Sequence, residues 1–436
     1  MSGLHSTTAP GPGLRTRSFY GLLLAQFLVA LDDNMLRWLV VPIAKRSWGP
    51  DAVLSIYLVC FVLPYIVLVS PAGYLADRFS KRSVVVGCQV AVVALMALAL
   101  ATIASGSVPL MFLVLLAVGA QEAMLSPAKL GAIPEVVAAG QIQAANGLIA
   151  MTNTLGIILG QALGGVFFSL GDELGAAGWS ITAAVLLGIA GLGTAASLAI
   201  ARLPPAHRQR VLPRNPLSDT LRNLLALASA RPLLLAALGS TFFWSLAAMA
   251  NINIDKFVTI DLKLAQHYTG PLFIVLAVGI GIGNFLAGAL AGGRIELGMV
   301  PFGALGIAAA GTLMWIVPAG TGAALSGAYA ATAALLLLLG LSAGFYLVPL
   351  QAFVQERAPP QSRGAILAAR NFIMFLGMLI SAGLFWLLGN RAGLSARAVF
   401  LLCGLATVPL AAGTFWGLRR QCGRFLCRIL GRPTVP

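Results

Sequence analysis

The stretch GYLADRFSKR, residues 73 to 82, sets four charged side chains, Asp77, Arg78, Lys81 and Arg82, between two apolar runs. Each run is about 20 residues long, the length that crosses a bilayer. Residues 52 to 76 and 83 to 104 are therefore expected to be consecutive membrane spans, with the charged stretch as the turn between them. Gly73 allows another helix to approach closely. Asp77 is placed to cap the N-terminus of the following span or to pair with Arg78, and the bases hold the turn among lipid headgroups.

Outward from this turn the same pattern continues along the chain. Of 436 residues, 59% are hydrophobic and 9% charged, with a mean hydropathy of +0.93. A soluble domain carries about 25% charged residues, so this composition excludes one. Apolar runs separated by charge, proline and glycine clusters predict twelve spans: 19 to 43, 52 to 76, 83 to 104, 108 to 133, 144 to 170, 177 to 201, 232 to 257, 267 to 291, 298 to 318, 325 to 354, 364 to 389 and 396 to 418. The fold class is an all-α membrane protein with residues 19 to 201 and 232 to 418 as two six-helix bundles. A disordered N-terminus (1 to 18), a linker (202 to 231) and a basic amphipathic tail (419 to 436) complete it.

A net charge of +15 would suggest a nucleic-acid partner in a soluble chain. Here sidedness explains it. Nineteen lysines and arginines fall on the side of the chain ends, six of them between Arg202 and Arg231 and five after residue 418; five fall on the other side. The positive-inside rule then puts both termini in the cytoplasm and leaves no nucleic-acid partner to invoke. Cys60, Cys88, Cys403, Cys422 and Cys427 form no C-x-x-C, so neither a disulfide framework nor a metal site is expected. GIGIG at 279 to 283 lies inside an apolar run with no strand before it, which argues helix packing rather than nucleotide binding.

The two halves resemble each other weakly. Asp33 precedes Asp255 by 222 residues, Pro127 precedes Pro349 by 222, Glu135 precedes Glu356 by 221, and Asn146 precedes Asn371 by 225. Polar and proline positions repeating at nearly one offset indicate a duplicated six-helix unit, the plan of many secondary transporters. A few charges remain inside the spans. Asp33, in AQFLVALDDNMLRWLVVP, lies about 21 Å into the first, and a charge at that depth costs about 2.5–3.5 kcal/mol unless it faces a partner or cavity. Arg37 follows at i,i+4 and could neutralise it; Asp32 is then left over. In EAMLSPAKLGAIPE, Pro127 and Pro134 break helical hydrogen bonding, and Lys129 projects there or snorkels to the interface. Glu356 pairs with Arg357 and Arg363 as a loop contact or as a gate, while Arg370 and Asn371 sit two turns inside span eleven.

GYLADRFSKR resembles the loop between helices two and three of the major facilitator superfamily, with a decayed counterpart, GGRIELG, at 292 to 298. AQFL with the Asp33–Asn34 pair, SPAKLG, AANGL, the span-seven STFFW and VPLQAFVQER together resemble its bacterial lysophospholipid transporter family. RAPPQSRGAILAARNF is similar to the membrane half of transporter–acyltransferase fusion proteins. The resemblance extends over nearly all of residues 19 to 418. It implies a flippase that brings lysophosphatidylethanolamine-like lipids to the cytoplasmic leaflet of the bacterial inner membrane, with a separately encoded glycerophospholipid acyltransferase as partner. It also implies a substrate site drawn from Asp33, Asn34, Arg37, Lys129, Asn146, Asn251, Lys256, Arg370 and Asn371. The gate is drawn from Gly73, Asp77, Arg78, Lys81, Arg82, Glu135, Glu356 and Arg357.

Two departures stand out. Asn251 occupies the position, seven residues after Trp244, where that family has an arginine, and no H-x-x-x-x-D acyltransferase motif follows His5, His207 or His267. No enzyme, cofactor or metal is expected. The alternatives are a proton-coupled exporter of drugs or other amphiphiles, which shares the fold and a span-one carboxylate, and a non-transporting scaffold for an acyltransferase.

Overall fold

The computed structural model describes residues 13 to 202, 204 to 318 and 326 to 430. The first half consists of α1 (Arg17–Trp48), α2 (Pro50–Val67), α3 (Val69–Arg78), α4 (Lys81–Ser105), α5 (Val108–Val136), α6 (Ile142–Leu174) and α7 (Ala176–Leu198). A linker helix, α8 (Pro216–Ser229), follows. The second half is α9 (Arg231–Lys256), α10 (Thr269–Ala289), α11 (Val300–Leu313), α12 (Gly327–Arg357), α13 (Arg363–Trp386) and α14 (Ala396–Gly417), ending in α15 (Arg419–Ile429). Among the described residues, ten helices and the bent pair α2–α3 are long and apolar enough to cross a membrane. With α1, which carries Asp32, Asp33, Asn34 and Arg37 in its middle, the spans number twelve.

Residues 1 to 12, most of the expected disordered segment, lie outside the described residues, as do 431 to 436 of the tail. Arg17 and Ser18 are already helical, because the Thr16 hydroxyl accepts from the Phe19 amide and starts the helix two residues early.

Span two is not straight. It breaks by 55° between α2 and α3 at Leu68. Pro71 causes the break: it has no N–H for the carbonyl four residues back, and its ring crowds that carbonyl. The linker is not all irregular either. Asn215 accepts from the amides of Leu217 and Ser218, Pro216 takes the first helical position, and α8 grows from that cap.

Within each half the long helices pack as a bundle, α1 on α6 and α7, α4 on α5, α10 on α12, α11 on α14. The halves meet through α6 on α10 and α3 on α13. Glycines set the first of these contacts: a Cβ on Gly147 would lie 2.5 Å from the Asn284 carbonyl oxygen, so the two backbones touch only because position 147 has none.

Candidate functional site

The charges inside the first half converge on one cluster. Glu122 on α5 accepts from the Lys129 ammonium at 3.1 Å, and its other carboxylate oxygen lies 4.0 Å from Arg37 on α1. Asp33, one turn before Arg37 on α1, is buried, and its Oδ1 has no hydrogen-bond partner. Arg37 lies over the Phe61 ring of α2 at 4.9 Å and near Tyr57 at 5.9 Å. Arg37, Glu122 and Lys129 keep 15–20% of their side-chain surface accessible, so a polar group can reach them; Asp33 keeps 2% as a residue.

Glu122 is absent from the residues selected by sequence. The signal was present in EAMLSPAK: Glu122 precedes Lys129 by seven residues, two helical turns, which stacks the pair along one face. Two expectations change with it. Arg37 does not pair with its helix neighbour Asp33; Glu122 and the Phe61 ring from facing helices offer it a carboxylate and a π-face. Lys129 does not snorkel to the interface, because Glu122 draws it back along α5.

In the second half, Arg370 on α13 is 3% exposed. Its neighbour Asn371 donates to the Ser126 hydroxyl at 2.8 Å, and Ser126 lies between Glu122 and Lys129 on α5. Phe375, a turn further, stacks on Tyr65 at 3.8 Å. Arg370 and Lys129 are each seven residues from the end of their helix, hence both about 10 Å from the face that bears the chain ends. Arg370 is the one buried arginine among the described residues with no charged group near it, and its Nε has no hydrogen-bond partner.

The face bearing the chain ends is closed. Asp77 accepts from the amides of Gly364 at 2.7 Å and Ala365 at 3.1 Å, which caps the N-terminus of α13. This replaces the expected cap of span three and the pair with Arg78: burial by the opposite half brings two free amides and Arg210, at 2.5 Å, to the carboxylate. Lys81 pairs with Glu135, which also has Arg363 at 3.8 Å. Arg82 donates to the Leu198 carbonyl. Asn146 and Gln355 exchange two hydrogen bonds across the halves, 2.7 and 2.9 Å. Asn146, expected at the substrate, therefore belongs to the closure: its amide and that of Gln355 complete each other.

The remaining expected residues stand apart. Glu356 and Arg357 are exposed, and Arg357 lies over Phe353, since Arg363 has turned to Glu135 instead. Asn34 donates to the Ala30 carbonyl of its own helix. Lys256 lies over Phe385 at the opposite end of α9, about 37 Å from Arg231, and Asn251 is exposed. Neither joins the cluster. Among the described residues every hydrogen bond and ion pair that joins the halves lies between the terminal face and the Asn371–Ser126 pair at mid-membrane.

Two six-helix halves, closed at one face around buried charges of both signs, define a secondary transporter. Solved structures agree on the fold: the fucose transporter FucP in the outward conformation superposes with a TM-score of 0.72 at 13% identity, covering 91% of this chain and 98% of that one. A bacterial homologue of the iron transporter ferroportin, in an outward-facing state, gives 0.65 at 16% identity over 92% and 99%. The family model described as Major Facilitator Superfamily matches residues 22–382. Among curated proteins, the lysophospholipid transporter LplT of Serratia proteamaculans (strain 568) is 31% identical over 85% of this chain and 88% of its own. LplT of Klebsiella pneumoniae (strain 342) is 28% identical over 94% and 98%. The chain belongs to the major facilitator superfamily and, within it, to the LplT family.

Proposed function

We propose that this chain moves lysophospholipids, lysophosphatidylethanolamine among them, from the outer to the inner leaflet of a bacterial inner membrane. Both chain ends lie in the cytoplasm, where a separately encoded glycerophospholipid acyltransferase reacylates the cargo. The observation that carries the reading is a largely buried cluster of both signs, Asp33, Glu122, Arg37 and Lys129, with a guanidinium that lacks a partner, Arg370, at the depth of Lys129 on α13. The names of the LplT relatives support the choice of cargo.

A zwitterionic headgroup leaves water only where both of its charges are met. Asp33, with one carboxylate oxygen free of any partner, accepts from the ammonium. Arg370 takes the phosphate as a bidentate donor, joined by Lys129 when Glu122 turns toward the ammonium. The halves 19 to 201 and 232 to 418 then rock about this site. Contacts at the terminal face break, those on the other side form, and the headgroup is released inward.

The test is uptake of labelled lysophosphatidylethanolamine into spheroplasts. Asp33→Asn and Lys129→Ala abolish it and Arg370→Ala lowers it, at equal amounts of folded protein. Full uptake by all three variants removes the site, and no lysolipid uptake together with drug efflux that collapses with a protonophore favours the proton-coupled exporter.

A further inference from the structure

Each half is followed by a segment that returns to the loop between its own second and third spans, and each segment delivers one arginine. After span six, Arg210 of the linker donates to the Gly73 carbonyl at 3.3 Å, pairs with Asp77 at 2.5 Å and lies 3.5 Å from Asp219 of α8. The His207 amide donates to the Asp77 carbonyl oxygen at 2.8 Å, and Asp219 accepts from Ser70 at 2.8 Å, so the segment is fastened on both sides of the arginine. After span twelve, Arg428 of α15 donates to the carbonyls of Ala291, at 2.8 Å, and Leu290, and lies 3.5 Å from Glu296. Gln421 and Phe425 seat α15 against Gly298, where a Cβ would meet the Gln421 carbonyl at 2.5 Å.

The two arrangements occupy equivalent places in the halves, although Asp77 docks through its carboxylate and Glu296 through its backbone amide, the Glu296 carboxylate also holding Arg294 at 3.0 Å. Arg428 follows Arg210 by 218 residues and Glu296 follows Asp77 by 219, close to the offset of the duplicated bundle. In each, the arginine holds a loop that also binds the opposite half: Asp77 receives the amides of Gly364 and Ala365, and the Glu296 amide donates to Gln143 at 2.6 Å. Asp77 is fully buried and Glu296 is 3% exposed.

We propose that Arg210 and Arg428 are a pseudo-symmetric pair of positioning residues that fix both loops for docking, and so hold the terminal face closed while the opposite face is open. A loop already fixed by a guanidinium has less freedom left to lose on docking. When the halves part, Asp77 regains water and needs the arginine less. Removing the arginine therefore weakens the closed state more than the open one. The proposal rests on the transporter reading, not on the identity of the cargo.

Hydrogen exchange of the full-length chain in lipid nanodiscs, without substrate, tests it. The amides of Gly364, Ala365 and Glu296 report the closure directly, because each is bonded across the halves. Arg210→Ala and Arg428→Ala are each expected to speed exchange at both loops by about tenfold, the factor that 1.4 kcal/mol makes. Arg210→Lys and Arg428→Lys, which keep the charge and lose the fork, fall between. Bundle amides in α6 and α14 stay protected, which separates opening from misfolding. Faster exchange only beside the substituted arginine, or no change, overturns the pairing. A wrong cargo leaves all of these results as they are.

Discussion

Arg370 is the residue whose presence stability does not explain. A buried guanidinium without a carboxylate costs several kcal/mol of desolvation that nothing in its surroundings returns. A residue kept at that cost is kept for its ligand. Arg370→Leu is therefore expected to raise the midpoint of thermal unfolding in detergent by a few degrees while raising the KM for lysophosphatidylethanolamine about 10- to 100-fold, the loss of one charged hydrogen bond of about 1.5–3 kcal/mol. A variant that is both less stable and normal in KM would make Arg370 structural. Sequence alone marks Arg370, Asp33 and Lys129, because the cost of a charge in a membrane depends on residue type and depth. It does not mark their partners. The i,i+4 spacing of Asp33 and Arg37 favours a local pair, and only the approach of α5 and α2 shows that Glu122 and Phe61 take Arg37 instead.

The helices were legible where the bilayer dictates them. Eighteen or more apolar residues between charged turns admit one structure, so the spans and the 6 + 6 division follow from composition. What composition hides is the break in span two, since prolines stand in several spans at 42, 64, 127, 134, 349 and 409 and the sharp bend comes only near Pro71. That bend lets α3 lean on α13, with Gly73 against Ala365, while α2 carries Tyr65 to Phe375. Restoring the missing backbone bond with Pro71→Ala straightens the element. Its expected effect is a kcat for lysophospholipid uptake several-fold lower at unchanged KM, because the headgroup residues lie on α1, α5 and α13. A change confined to KM would mean that the bend shapes the site rather than the motion.

For the whole molecule, every polar bond between the halves among the described residues lies between the terminal face and mid-membrane, so the structure is one end state of a two-state machine. The opposite state needs the terminal face to part along α6–α10 and α3–α13. Such an interface was not legible in the sequence, where Asn146 and Gln355 are just two amides 209 residues apart; in the fold they satisfy each other, which only this closure allows. Steric control of the same seam gives the clearest handle on the cycle. Gly147 has the Asn284 carbonyl oxygen 2.5 Å and the Gly288 Cα 2.8 Å from where a Cβ would stand, both backbone atoms that cannot step aside. Gly147→Val therefore disfavours closure without touching Asp33, Lys129 or Arg370. The expected result is a folded protein that binds lysophosphatidylethanolamine from the cytoplasmic side of inverted vesicles yet carries none across, with fast hydrogen exchange at Gly364 and Glu296. Normal uptake by this variant would mean that close contact of α6 with α10 is not part of the cycle.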